Sequence, residues 1–306
     1  MLTVAITGAT GFIGNVLLKH LVEQGFNVRA LYRPASTPRP EQTDSVQWLA
    51  GNLDDIESLR GLVAGVDSVV HCAGAVRGTS LEQFEKTNAA GVTHLLEAAV
   101  EQNIPRFLLM SSLAAREPAL SAYASSKRSG EEVLGGFQDR ICCDVLRPPA
   151  VYGPGDREML PLLQLIKRGI VPIIGGKDSR FSLIYVDDLV AAVSSLLRSE
   201  PAPESRCFEL HDGHPDGYTW RQIVAIATQL NGKKPRCLAI PRSMLQVIAL
   251  ANAGLARLLG YRPMLTPGKV REIFHPDWVC DNAAICEATD WRPRVLFSEG
   301  MQRLFP

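Results

Sequence analysis

The chain has 306 residues, 46% hydrophobic and 21% charged, enough for one large domain and a smaller one. Lys+Arg 32 balance Asp+Glu 32 to zero net charge, so no basic face for a nucleic acid is implied. No apolar run reaches bilayer-spanning length and no secretory leader pattern opens the chain, so a cytoplasmic protein without a spanning segment is expected.

The first element is the apolar run Thr3–Thr7, which breaks into Gly8, Gly11 and Gly14 before a helical pattern over Asn15–Gln24. A buried strand that turns sharply and presents a helix N-terminus is suited to grip a phosphate, because unpaired N–H groups and the helix dipole both favour an anion. Glycine is expected there because a side chain would hold a pyrophosphate away from the backbone. Further strands are expected at Val28–Tyr32, Val46–Ala50, Ser68–Cys72, Arg106–Ser111 and Cys143–Arg147. Between them, Leu53–Leu62, Gly91–Gln102 and Tyr123–Gly135 have helical spacing. Strand–helix alternation of this kind predicts an α/β fold, a doubly wound parallel sheet with helices on both faces.

After Pro148 the texture changes, with prolines and glycines crowding Arg147–Asp156. Phe181–Leu197 reads as a late strand-and-helix return to the sheet. Residues 211–306 carry what look like shorter helices. The division predicted is a dinucleotide-binding domain of 1–155 plus 180–210, and a mostly α substrate domain of 156–179 plus 211–306. Met244–Leu259 is unusually apolar and is read as a helix covering the smaller domain's core; the sharper alternative is one wall of an apolar pocket, or a membrane-surface contact. Cys72, Cys142, Cys143, Cys207, Cys237, Cys280 and Cys286 form an odd, scattered set without a C-x-x-C pair. They read as reduced thiols rather than disulfides or metal ligands.

The second strand ends in Tyr32, followed by Arg33, where an NAD-selective protein places a carboxylate for the ribose hydroxyls. Arg33 suits a 2′-phosphate, so NADP is expected over NAD. Tyr123 and Lys127 stand four apart, on one face of a helix. A phenol has a pKa of about 10; a neighbouring ammonium lowers it and makes Tyr123 usable as an acid or base. Ser111-Ser112 closes the preceding strand, where a parallel sheet puts its ligand crevice.

These residues give the chain its likeness. It resembles an extended short-chain dehydrogenase/reductase, of the superfamily that includes 3β-hydroxysteroid dehydrogenases and nucleotide-sugar epimerases. The carriers are Thr7–Gly14 (T-G-A-T-G-F-I-G), Gly51–Asp54, His71–Gly74, Asn88, Ser111-Ser112, Tyr123-x-x-x-Lys127, Arg147–Asp156, Tyr185–Asp188 and the tail from Asp281 to Gly300. The resemblance implies that Tyr123 is the catalytic acid/base. Lys127 would tune it and bond the nicotinamide ribose, Ser112 would orient the reacting oxygen, and Asn88 would support the proton relay. It further implies that Gly8, Thr10, Gly11, Phe12, Ile13 and Gly14 line the pyrophosphate. Asn52 and Leu53 would meet the adenine, Ala73 and Gly74 the ribose region, and Pro148 and Val151 the nicotinamide. A homodimer through a four-helix interface is the family's habit.

Departures from the family pattern narrow the reaction. Leu113-Ala114-Ala115 offers no acid for water elimination, and only ten residues separate Ser112 from Tyr123. Hydride transfer on a secondary alcohol or its ketone, with a hydrophobic steroid-like or terpenoid substrate, is therefore expected before nucleotide-sugar epimerisation. A non-catalytic NADP sensor is the rival from another class, and the intact Ser112, Tyr123 and Lys127 set speaks against it.

Overall fold

In the computed structural model, residues 1–35, 41–176, 178–202 and 204–306 are described. The first half runs β1 (Thr3–Thr7), α1 (Phe12–Glu23), β2 (Asn27–Tyr32), β3 (Val46–Ala50), α2 (Ile56–Val63) and β4 (Ser68–His71), then α3 (Leu81–Glu85), α4 (Gly91–Glu101), β5 (Arg106–Met110), α5 (Ala122–Leu134) and β6 (Cys142–Arg147). After these come β7 (Ala150–Tyr152), α6 (Leu160–Lys167), β8 (Ile170–Ile174), β9 (Arg180–Phe181), β10 (Leu183–Tyr185), α7 (Val186–Arg198) and β11 (Arg206–Glu209). The chain closes with β12 (Tyr218–Thr219), α8 (Trp220–Asn231), β13 (Arg236–Ile240), α9 (Arg242–Leu259), α10 (Pro267–Ile273), β14 (Asp277–Trp278), α11 (Ala283–Ala288) and α12 (Phe297–Leu304).

Seven strands form one parallel sheet in the order β11-β6-β5-β4-β1-β2-β3. Strand order reverses between β1 and β4, which opens a crevice beyond their C-terminal ends. The register there pairs Thr7 with His71. The central strands are mostly apolar because helices bury both faces. Leu17 and Leu21 of α1 join Val190 and Val193 of α7 on one side. Leu59 and Leu62 of α2 join Leu95 and Leu96 of α4 on the other. Hydrogen-bonded caps start several helices: Asp55 accepts from the Ser58 amide at 3.3 Å, and Ser121 from the Ala124 amide at 2.9 Å.

Two expectations about the second half need correction. Phe181–Leu197 returns to the sheet only as a helix: β10 pairs with β7 in a separate two-stranded sheet, and the strand that joins the main sheet is β11. The residues after 211 are not all short helices, since α9 spans 18 residues. A third core, built on Tyr152, Leu163, Tyr218 and Phe297, ties α6, α8 and α12 together.

Candidate active site

The glycine turn divides its labour. Gly8 has φ +74°, and a Cβ there would fall 2.5 Å from the Ala73 nitrogen; at Gly14 it would meet the Gly8 carbonyl oxygen at 2.2 Å. These two glycines are therefore demanded by the protein's own backbone, which corrects the expectation that all three make room for a ligand. Gly11 is exposed at the mouth of α1, where a Cβ would come no closer than 3.2 Å to the Gly8 oxygen. No acidic residue occupies the first turn, so its amides face no competing carboxylate. Thr10 shares the exposed rim, while Phe12 and Ile13 are half-buried against the core. This cradle fits a dinucleotide phosphate.

Along the same edge, Arg33 follows directly on β2 and Asn52 follows β3 with one residue between. Asn52 turns its carboxamide oxygen inward to accept from the Asp54 amide at 2.8 Å. That leaves its NH2 group for an adenine. Leu53 is pinned: its carbonyl meets His94 Nδ1 at 2.7 Å, and its side chain fills the space a Cβ on Gly91 would need.

Asn88 lies in a π-helical turn, Lys86–Ala90, that joins α3 to α4. Its carboxamide accepts from the Ala75 amide at 2.8 Å and donates to the Ala75 carbonyl at 3.0 Å and to Ser126 Oγ at 2.9 Å. It is 3% exposed, so these bonds hold the loop after β4 against α5. The space a Cβ on Gly74 would take lies 3.3 Å from Asn88 Oδ1 and 3.8 Å from Lys127 Nζ. Asn88, Gly74 and Lys127 thus form one cluster beside the crevice.

Lys127 Nζ donates to the Met110 carbonyl at 2.7 Å, and burial pushes its ammonium down to about 8 despite nearby Glu131. Tyr123 shares that helix face but not that environment. Burial raises its phenol above the ordinary value, against a hydrogen bond with Ser112 and the positive charge of Lys269, while Glu272 adds to the rise. The expected lowering by Lys127 is not what this arrangement produces. The cation over the Tyr123 ring is Lys269 of α10, with Nζ 5.6 Å from the centroid. Sequence spacing had no means of finding it, because it arrives from a distant segment that carries no motif.

Lys269 is held by Glu272 at 2.7 Å, and Glu272 also accepts from Ser121 Oγ, the cap of α5. The helix that presents Tyr123 is in this way fastened to α10. The two serines part company: Ser111 is buried and donates to Glu131, which also pairs with Arg147. Ser112 caps the turn Leu113–Arg116 and bonds Tyr123. Its second position in the pair is the one that reaches the site.

Ser112, Tyr123, Pro148 and Val151 all line a cavity of about 840 Å³. The glycine turn, Arg33 and Asn52 lie outside it. Most of the lining is apolar, with Phe84, Phe181, Leu183, Trp220, Leu265 and Trp278 contributing. Arg180 and Arg271 are also present, but Arg271 Nε donates to the Leu120 carbonyl at 2.7 Å. One wall is α9, through Leu250, Ala253, Gly254 and Arg257. That corrects its reading as the cover of a core: α9 fully buries only Ala249 and Ala256.

The pattern that defines the NAD dependent epimerase/dehydratase family matches residues 4–208. A ceramide reductase of Caulobacter vibrioides is 37% identical over 285 residues, 93% of this chain and 88% of that protein. A 2-alkyl-3-oxoalkanoate reductase of Stenotrophomonas maltophilia is 27% identical over 98% of both chains. Among solved structures, UDP-glucuronic acid 4-epimerase of Bacillus cereus, with UDP-glucuronic acid and NAD, superposes with a TM-score of 0.76. It is 17% identical and covers 99% and 98% of the two chains, a likeness of fold.

Proposed function

Because this chain belongs to the NAD dependent epimerase/dehydratase family, we propose that it is an NADP-dependent reductase of an apolar ketone, working between ketone and secondary alcohol. The observation that carries this reading is the large, mostly apolar cavity with the Ser112 and Tyr123 hydroxyls in its lining. Two reductases among its relatives, of ceramide and of 2-alkyl-3-oxoalkanoates, act on substrates named as lipid-like or alkyl-bearing, which supports the same class here.

A nicotinamide dinucleotide, gripped at Gly11 in the turn that Gly8 and Gly14 shape and reaching past Gly74 and Lys127 to Pro148 and Val151, would supply hydride to the carbonyl carbon. Ser112 Oγ holds the carbonyl oxygen, and Tyr123 passes its phenolic proton to that oxygen. The phenol, which burial keeps from falling below its ordinary range, is protonated at neutral pH and can donate to the carbonyl oxygen. Asn88 positions the loop that carries Gly74, and Lys127 occupies the dinucleotide side of the pair. Arg33, with no carboxylate at the end of β2, supports the choice of NADP.

Arg180 and Arg257 in the same cavity favour a second reading, a nucleotide-sugar epimerase whose diphosphate they would meet. One assay separates the two: nicotinamide absorbance is followed with a long-chain 3-oxo ester and, separately, sugar products are followed with UDP-glucose. The expected result is NADPH consumption with the ester alone. Sugar epimerisation without ketone reduction overturns the proposal. Arg33→Ala should raise KM for NADPH roughly tenfold and leave that for NADH nearly unchanged. A wild-type KM lower for NADH than for NADPH defeats the NADP assignment by itself.

A further inference from the structure

The outer face of α9 is apolar and uncovered. At 100° per residue, Met244, Val247, Ile248, Leu255, Leu258 and Leu259 fall within one arc of about 120°. All six are exposed, with Val247 at 67%, Leu258 at 84% and Leu259 at 68%. Large side chains scattered singly on a surface need no explanation; six on one stripe of one helix mark an interaction surface.

Charge indicates what that surface meets. Residues 217–271, which include α9, carry nine Lys and Arg and no Asp or Glu, in a chain whose net charge is zero. Arg242 and Arg257 belong to the helix itself, on its other side, and Arg262 follows its end. Lys233, Lys234 and Arg236 are exposed just before it. An amphipathic helix with leucines on one face and arginines on the other is suited to lie in the plane of a bilayer interface, the cations snorkelling to headgroups.

We propose that α9 docks this protein on an anionic lipid surface, with the Met244–Leu259 face set among the acyl chains. A second copy is the weaker occupant, since a two-fold contact through this region would bring two cationic surfaces together without an acidic partner. The docking rests on the helix surface alone. Its link to catalysis rests on the ketone-reductase reading: Leu250, Ala253 and Gly254 of the same helix line the cavity, so a lipid-like substrate has a short path from the bilayer into the site.

The test is sedimentation of the full chain with phosphatidylcholine vesicles, with and without phosphatidylglycerol, at low and high salt. Binding should be at least about tenfold stronger with phosphatidylglycerol and weaken as salt screens the charges. Val247→Asp with Leu258→Asp should lower it at least tenfold, as should Lys234→Glu with Arg262→Glu, all with an unchanged melting temperature. The two pairs remove different forces, so loss of fold in one leaves the other as a test. No binding to either vesicle, or binding that both pairs leave unchanged, overturns the proposal. So does a wild-type dimer that Val247→Asp with Leu258→Asp dissolves, which assigns the face to a second copy. None of these readings requires turnover, so failure here and failure of the reductase assignment are told apart.

Discussion

Lys269→Met removes the cation over the Tyr123 ring, and the consequence is a signed shift in a pH profile. A unit charge about 6 Å away is worth roughly 3 kcal/mol at an effective dielectric of about 20. Glu272, 2.7 Å from Lys269, carries the opposite charge and offsets part of this. The change left to Tyr123 is of the order of one pH unit, about 1.4 kcal/mol. Alcohol oxidation needs the phenolate, so the ascending limb of its pH profile should move up by about one unit, and its rate at fixed pH below the limb should fall roughly tenfold. Ketone reduction uses the neutral phenol and should change little near neutrality.

Glu272→Gln removes the opposing charge while keeping an acceptor for Ser121, so its limb should move down. Lys269→Arg should restore the wild-type position, and the double variant Lys269→Met with Glu272→Gln should return most of the way. The assay is kcat/KM for oxidation across pH, with folding checked by circular dichroism, because Lys269→Met leaves a buried carboxylate without its cation. Identical limbs in all variants, or limbs that move the same way in Lys269→Met and Glu272→Gln, refute the electrostatic role and leave Lys269 as a wall of the cavity.

Three further outcomes are expected. Tyr123→Phe should keep dinucleotide affinity, read by fluorescence titration, and lose turnover by roughly 10²–10⁴-fold; undiminished turnover removes Tyr123 from the mechanism. Gly14→Ala drives a Cβ into the Gly8 carbonyl and should cost about 1–3 kcal/mol in urea unfolding, whereas Gly11→Ala should melt near wild type and raise KM for the dinucleotide roughly tenfold. The opposite assignment of these two effects defeats the division of labour in the turn. Burial holds the His71 imidazole down to about 3 in the folded state, so the unfolded chain binds the extra proton first as pH falls below about 6.5. The stability His71 contributes is complete above that pH and is lost progressively toward pH 3, about 2 kcal/mol by pH 5. His71→Gln should flatten this part of the melting temperature against pH, and an unchanged slope assigns the acid sensitivity to other groups.

The sheet was legible because its strands are short apolar runs bounded by turn residues, and six of them fall within a residue of where their pattern ends. The late strand was misplaced for a physical reason. Leu183–Tyr185 is as apolar as a sheet strand, but it pairs with Ala150–Tyr152 and builds the third core, and periodicity does not record a partner. At the site, Tyr123, Lys127, Ser112 and Asn88 were legible through local spacing and motif. Asn88 carried a further surprise, since its amide is committed to the loop at Ala75 and to Ser126.

The same limit explains both residues that spacing alone misjudged, Lys127 and Leu258. Four residues on a helix place Lys127 beside Tyr123 in projection, but a long side chain goes where a carbonyl satisfies it, and the Met110 oxygen does so. The vacated electrostatic role falls to Lys269, 146 positions downstream of Tyr123. In α9 the heptad-like run of leucines states that one face is apolar and is silent on whether protein, lipid or a second copy meets it. Burial decides between core and surface, and there Leu258 is 84% exposed. Charge decides between the remaining partners, because an apolar stripe inside 55 residues without one carboxylate has complementarity with an anionic surface and none with itself. What the second half adds to the cavity therefore comes through long-range contacts and uncovered faces, which the later motifs, Tyr185–Asp188 and the tail from Asp281 to Gly300, do not record.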